Sequence, residues 1–263
     1  MRRTGTRFQL ETLAHLAGGI AGPRRIGMRE SRSDEHRPRF LFFRRIVHLG
    51  IRHASPRRWV KEKFGDMVRL EFRFCSVFGD SGRKIAVTWR DKGEYAGFNS
   101  HLRNVAQRFP HIEVHPEIWI LTRPPTSASA HLFLTAVQHW QQEQEKKGQY
   151  ASASSIFDKV MWAFRCGFFR DCRDIARWDV QCELAEALGV DINAIERSIR
   201  DGTAFAGLAA DYQDADKMRI EGSPSFVLNE GRQKLYGNVG FRIIEANIQE
   251  LLRAPSGDQA SWC

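Results

Sequence analysis

The sequence lacks a Cys-x-x-Cys motif, although it contains five cysteines, at positions 75, 166, 172, 182 and 263. Dithiol chemistry needs a second thiol that resolves the mixed disulfide, so the missing motif argues against a chain that cycles its own neighbouring pair. An odd number of scattered cysteines instead fits a compartment in which thiols stay reduced. We therefore expect a cytoplasmic protein.

Long apolar runs and metal-binding patterns are also absent from the sequence. No apolar run approaches the roughly 18 residues that a membrane-spanning helix needs. The beginning of the chain has no clean apolar segment followed by a small-residue cleavage site, so it does not resemble a secretory signal. No HExxH pattern and no zinc-finger spacing of cysteine and histidine occurs. These absences predict no metal site and no membrane partner.

The excess of positive over negative charge is confined to one end of the chain. Residues 1–67 hold 16 Lys and Arg against 6 Asp and Glu, whereas the remaining residues hold 24 against 25. A nucleic-acid function inferred from the basic isoelectric point alone would therefore be mistaken, and we expect no nucleic-acid partner. We interpret residues 1–66 as a basic, poorly ordered N-terminal extension.

From residue 67 onwards the apolar spacing predicts a regular order of elements. Alternation predicts a strand over Met67–Phe74. Apolar residues spaced by 4, 3 and 4 predict a helix over residues 98–109, and Ile112–His115 alternates as a second strand. From about residue 125 to about residue 218 the spacing favours helices only.

Strands return near the end of the sequence, where a turn at residues 229–231 joins Ser225–Leu228 to Gln233–Tyr236 in a predicted hairpin. Ile244, Ile248, Leu251 and Leu252 then mark a closing helix. The order β-α-β, a helical block and β-β-α predicts an α/β protein with a thioredoxin-like fold and a large inserted helical subdomain at about 125–218. We expect the domain to span residues 67–254, followed by a tail at 255–263.

Three segments resemble DsbA-like proteins of the thioredoxin fold. Residues 221–229, Glu-Gly-Ser-Pro-Ser-Phe-Val-Leu-Asn, resemble the cis-proline loop of that family, and the following residues 231–240 resemble its closing hairpin. The upstream segment 184–191, Leu-Ala-Glu-Ala-Leu-Gly-Val-Asp, is also similar to members of that superfamily. The resemblance covers about residues 67–253.

The resemblance implies a substrate-binding loop formed by Gly222, Ser223 and Pro224. A cis bond before Pro224 would turn the backbone of Ser223 towards an extended ligand, which could pair with it like a short added strand. Gly222 would allow the close approach of the backbone. The expected partner is a thiol-containing small molecule or an extended peptide, and a homodimer stays open.

The sequence departs from the family at the catalytic position. Redox-active relatives carry C-x-x-C where the first strand runs into the first helix. If Phe74 ends that strand, Cys75 or Ser76 takes the first catalytic position, and Phe78 or Gly79 takes the second. Neither register supplies a resolving thiol, so the site looks degenerate.

Three functional interpretations follow, in order of preference. The first is a thiol- or glutathione-linked oxidoreductase centred on Cys75 and Ser76, with glutathione as a dissociable cofactor and nothing bound covalently. The second is a catalytically silent binding module. The third is a transferase or isomerase in which Ser76 stabilises the thiolate of glutathione, as the kappa-class glutathione transferases and hydroxychromene-carboxylate isomerases imply. Cys75 could equally be a buried strand cysteine, and Ser76 an ordinary turn residue.

Overall fold

The computed structural model of the protein describes residues 39–44, 56–109, 112–148, 155–237 and 239–253. Four strands form one sheet in the order β2-β1-β3-β4. The strands are β1 (Arg39–Arg44), β2 (Arg69–Phe74), β3 (Ser225–Leu228) and β4 (Gln233–Tyr236). Strand β1 is parallel to β2 and antiparallel to β3, and β4 pairs antiparallel with β3 as a hairpin.

Helices fill the remainder of the described chain. Helix α1 connects the two parallel strands, and helix α9 follows the hairpin. Seven helices lie between β2 and β3 in the described residues. The bounds in chain order are α1 (Pro56–Phe64), α2 (Ser81–Thr88), α3 (Glu94–Ala106), α4 (Ala128–Lys146), α5 (Ile156–Phe169), α6 (Trp178–Glu186), α7 (Ile192–Arg200), α8 (Thr203–Lys217) and α9 (Phe241–Arg253).

This order confirms the predicted fold class. The first half of the fold, however, begins earlier in the chain than we expected. The β-α-β unit consists of β1, α1 and β2, whereas we expected it to begin at residue 67. The predicted strand Ile112–His115 is wrong: these residues form no strand, and the amide of His115 donates to the carbonyl of Phe169 at 2.7 Å. This segment is therefore bonded to the end of a helix through the His115 amide, and not to a neighbouring strand.

The expected domain boundaries change accordingly. The sheet includes Arg39–Arg44, so the domain begins well before residue 67. The helical insertion begins at Ser81 and ends at Lys217, which is earlier than the expected start at about 125. The expected disorder of residues 1–38 and 45–55, and the tail 255–263, lie outside the described residues.

Helix starts in the insertion follow their capping residues. The side chains of Asp80, Ser155 and Asp191 each accept a hydrogen bond from a backbone amide in the first turn of α2, α5 and α7. Each cap satisfies an amide that has no partner within its helix. These local signals explain why the insertion folds into several separate helices.

The insertion also covers the outer edge of the sheet. The Phe74 amide of the edge strand β2 donates to Asp211 Oδ2 of α8 at 2.9 Å, and the Phe72 carbonyl accepts from Gln138 Nε2 of α4 at 3.1 Å. Phe157 of α5, which is fully buried, packs edge-on against Phe72 and Phe74. An unpaired strand edge would otherwise invite pairing with another chain, and here side chains of the insertion occupy it.

Candidate functional site

The proline loop, residues 221–224, leads from the end of α8 into β3. Its Ser223–Pro224 peptide bond is cis. The Pro224 carbonyl accepts from the Gly237 amide at 2.9 Å, which extends the β3–β4 ladder by one step beyond the Ser225–Tyr236 pair. Ser225 Oγ donates to the Gly222 carbonyl at 2.7 Å. The hairpin therefore holds the loop firmly at one end of the sheet.

Gly222 lies against an aromatic neighbour. A Cβ atom at this position would lie 2.6 Å from the Tyr236 hydroxyl and 2.9 Å from the Tyr236 ring. The Tyr236 side chain is nevertheless 69% exposed. The phenol of Tyr236 thus forms an exposed wall beside the proline loop, and sequence analysis missed it.

The strand next to the proline loop is β1. Phe43 pairs with Ser225 on one side and with Arg73 of β2 on the other. One end of the sheet therefore contains the C-terminal ends of β1 and β2 and the beginning of β3. Because neighbouring strands are about 4.8 Å apart, the end of β2 lies roughly 10 Å from the proline loop, with β1 between them.

This arrangement corrects the expected catalytic position. Cys75 and Ser76 follow the second strand of the fold, so they do not stand where the first strand runs into the first helix. That connection is residues 45–55, and its sequence contains no cysteine. Strand β1, Arg-Phe-Leu-Phe-Phe-Arg, lacks the alternation that marks β2, so the alternating pattern wrongly predicts β2 as the first strand.

Cys75 is 2% exposed and packs in an apolar cluster with Ala215 of α8 and Val227 of β3. Apolar surroundings of this kind suit a thiol that behaves as a small hydrophobic side chain. Ser76, by contrast, is exposed. Its Oγ lies so close to the Gly79 backbone that a Cβ atom at residue 79 would meet it at 2.7 Å. Ser76 is therefore the more accessible of the two predicted residues.

Behind Ser76 lie two polar groups of the insertion. Tyr212 of α8 lies near enough to Ser76 for the serine to act on the pKa of its phenol. On its other side the Tyr212 hydroxyl is 2.9 Å from Nδ1 of His131, a fully buried residue of α4. Burial lowers the pKa of His131 to about 3, and burial foremost raises the pKa of Tyr212 to about 12. Both side chains are therefore neutral at pH 7.

A charged cluster fixes the end of β2. Arg73 Nη1 donates to Asp211 Oδ1 at 2.8 Å, and Arg73 Nη2 donates to Glu71 Oε2 at 2.7 Å. Burial raises the pKa of Asp211, while the hydrogen bonds from Arg73 and from the Phe74 amide act against that rise. Since Asp211 also binds the Phe74 amide, this carboxylate ties the strand end to α8.

Two of the residues that could not be predicted as site residues, Asp211 and Tyr212, share one face of α8. Leu208, Asp211, Tyr212 and Ala215 recur at spacings of 3, 1 and 3, so a carboxylate and a phenol stand on the buried stripe of α8. Polar groups on an apolar stripe were the only available signal. In the described residues no group of three or more His, Cys, Asp or Glu side chains could hold a metal ion. No described helix has the length and apolarity to cross a bilayer.

Comparison with known proteins rests on structure, because no family model and no curated protein matches the sequence. A crystal structure described as a candidate protein disulfide isomerase from Nitrosomonas europaea has a TM-score of 0.60 and 12% identity, covering 83% of this chain and 98% of that one. Cytosolic disulfide reductase DsbM from Pseudomonas aeruginosa has a TM-score of 0.55 and 16% identity, covering 82% and 98%.

A second structure of DsbM, with GSH, has a TM-score of 0.53 and 13% identity, covering 80% of this chain and 99% of that one. Identities this low describe the fold alone. Together with the strand order and the helical insertion, they show that the chain has the DsbA-like thioredoxin fold.

Proposed function

We propose that the protein binds glutathione, or an extended thiol-containing peptide, between the proline loop and the ends of β1 and β2, and that it acts in glutathione-linked thiol–disulfide exchange. One observation carries the proposal. A buried proline loop, held by the β3–β4 hairpin, and the exposed hydroxyl group of Ser76 lie at the same end of a DsbA-like sheet. The DsbM structure with GSH supports the choice of ligand. A cytoplasmic setting suits this ligand, because thiols stay reduced there.

The reactive thiol in this proposal belongs to the ligand. Residues 45–55 contain no cysteine, and the Cys75 side chain is buried among Ala215 and Val227. A thiol buried in this way cannot reach a substrate disulfide. The protein therefore contributes binding and orientation, and Cys75 contributes packing.

The reaction balances with glutathione as the reductant. The thiolate of one glutathione attacks a substrate disulfide, forming a new sulfur–sulfur bond and releasing one substrate thiolate, which takes a proton from water. A second glutathione attacks the glutathione sulfur of that mixed disulfide. The products are oxidised glutathione and a substrate with two thiols, so two electrons have moved from glutathione to the substrate.

Calorimetry with glutathione on the full chain tests the binding step. We expect binding to the wild type and to Cys75→Ala, and at least tenfold weaker binding to Ser76→Ala. Reduction of insulin in the presence of glutathione should follow the same order. Absence of glutathione binding to the wild type would overturn the proposal, and so would a loss of insulin reduction in Cys75→Ala with Ser76→Ala unaffected.

Two other functions have an observation in their favour. The burial of Cys75 favours a silent module that holds a peptide at the proline loop. The exposed hydroxyl of Ser76 favours a transferase or isomerase that uses the thiolate of glutathione. Glutathione binding without insulin reduction, together with conjugation of an electrophile, would select the latter. Peptide binding without glutathione binding would select the module.

A further inference from the structure

A cleft lies in the helical insertion, between the start of α2, the start of α4 and the end of α5. It encloses about 320 Å³, including the part that is open to solvent. All the residues that line it are buried except Thr126 and Ser127, which are half-buried. The mouth of the cleft is therefore at the start of α4, and the rest of its wall belongs to the protein interior.

Three aromatic rings form much of the wall of this cleft. The Trp119 ring stacks on Phe78 at 5.7 Å between centroids, and Phe168 meets Trp119 edge-on at 5.2 Å. Trp119 has a φ of 65°, in the left-handed region that a bulky residue occupies only when its surroundings hold it there. Within the described residues, no charged side chain lines the cleft. A wall of this kind suits a compact, uncharged aromatic molecule.

Two hydrogen-bond donors belong to the residues of this wall. Trp119 Nε1 and Ser81 Oγ are buried, and among the described residues neither has a hydrogen-bond partner. The other hydroxyl groups of the lining are engaged, since Ser127 Oγ donates to the Phe78 carbonyl at 3.2 Å and Thr126 Oγ1 accepts from a backbone amide of α4 at 2.9 Å. The indole and the Ser81 hydroxyl are thus the groups that need an acceptor.

The chemistry of these two donors indicates what the cleft accepts. The indole N–H of Trp119 can only donate, and a buried indole normally finds an acceptor. The hydroxyl of Ser81 is able to donate as well. A carbonyl oxygen has two lone pairs, one for each donor. An anion suits the cleft less well, because the lining supplies no positive charge to offset its loss of water.

We propose that this cleft is a binding site for a compact, uncharged aromatic molecule with one carbonyl group, whose oxygen accepts from Trp119 Nε1 and Ser81 Oγ. The ring of the ligand lies against the aromatic wall. No residue of the proline loop lines the cleft, so the site is separate from the one proposed for glutathione. Failure of either site leaves the other standing.

Calorimetry of the full chain with acetophenone tests the chemical class of the ligand. α-Methylstyrene has the same shape but carries a methylene group in place of the carbonyl oxygen, and benzoate carries a negative charge. We expect acetophenone to bind about tenfold more tightly than α-methylstyrene, and more tightly than benzoate. Equal binding of acetophenone and α-methylstyrene, or no binding of acetophenone, would overturn the proposal.

Nitrogen NMR of the full chain, labelled at tryptophan, locates the bound acetophenone. Trp119→Phe identifies the indole signal of Trp119 among those of the seven tryptophans. We expect acetophenone to shift this signal and to leave the indole of Trp162, which is 50% exposed on α5, unchanged. Binding without a shift of the Trp119 indole would overturn the proposal, because the molecule would then lie elsewhere on the protein.

Two serine variants separate the hydrogen bond from packing. Ser81→Ala removes one of the two donors, and Ser198→Ala on α7, whose Oγ is also buried without a partner in the described chain, is the matched control. We expect Ser81→Ala to weaken acetophenone binding about fivefold and to leave α-methylstyrene binding unchanged. Ser198→Ala should alter neither. Equal losses of both ligands in Ser81→Ala, or no loss of acetophenone binding, would overturn the role of Ser81. Should Ser81→Ala not fold, the comparison of ligands and the Trp119 signal of the wild type decide.

Discussion

The two sides of the candidate site are held in different ways. The proline loop is fixed by its sequence neighbours: the Gly237 amide binds the Pro224 carbonyl, and Ser225 binds the Gly222 carbonyl. The end of β2 is fixed by side chains more than 60 residues away, among them Gln138 and Asp211. The loop is thus encoded locally, whereas the strand end depends on the inserted helices. Substitutions in the insertion should therefore reach the site through β2.

The largest expected effect concerns the packing of the insertion on β2. Phe157→Ala removes a fully buried ring that packs against Phe72 and Phe74, so it should lower the free energy of unfolding by about 3–5 kcal/mol. Phe205→Ala, at a position 64% exposed, is the control and should stay within about 0.5 kcal/mol of the wild type. Urea unfolding measures both. Equal losses would show that the insertion does not support β2 as described.

The next effect is a dependence of stability on pH. The pKa of His131 is about 3 in the folded chain and near 6.5 when exposed, so the unfolded chain binds more protons between these values. Stability is then fully present above about pH 6.5 and falls as the pH is lowered towards 3. We expect His131 to account for about 2 kcal/mol between pH 7.5 and pH 5.

His131→Gln isolates this contribution, because it removes the titrating ring. Its urea unfolding should depend less steeply on pH over that range than unfolding of the wild type. An unchanged slope would mean that His131 is not a buried neutral imidazole. The end of β2 would then not be backed by a buried polar group, as the comparison of the two sides assumes.

A smaller effect is expected from the carboxylate that ties β2 to α8. Asp211→Asn keeps an oxygen for the Phe74 amide but loses the ion pair with Arg73, so it should cost about 1–2 kcal/mol of unfolding free energy. Asp179→Asn breaks the fully exposed pair with Arg177 and should cause no measurable change. A loss as large for Asp179→Asn as for Asp211→Asn would contradict the special role of the strand end.

The smallest effects concern one hydroxyl group on each side of the site. Ser225→Ala leaves the Gly222 carbonyl without its hydroxyl donor and should cost about 1 kcal/mol. Ser76→Ala removes an exposed hydroxyl and should stay within about 0.5 kcal/mol of the wild type. Thermal unfolding of both variants checks this order, and a reversed order would contradict it.

Sequence reasoning reached the hairpin and the proline loop because their signals are local. The turn at residues 229–231 and the alternation around it define β3 and β4 within a dozen residues. The first strand was not predicted. Arg39–Arg44 consists of a continuous apolar run between two arginines, and such a run does not distinguish a buried strand from a helix. That single error shifted the β-α-β unit and assigned the catalytic position to Cys75 and Ser76.

The polar groups behind Ser76 could not be predicted from spacing. His131 and Tyr212 are 81 residues apart, and their contact exists only because α4 and α8 pack side by side. Their residue types on apolar helix faces were visible in the sequence, but their partners were not. Long-range packing therefore decides which polar groups meet behind the end of β2.

Amide NMR during a titration with glutathione tests the central claim, that one ligand spans the proline loop and the end of β2. We predict that shifts concentrate at residues 222–225 and 76–79, on both sides of β1, with little change around Phe205. Shifts confined to the inserted helices, or no shift at saturating glutathione, would contradict it.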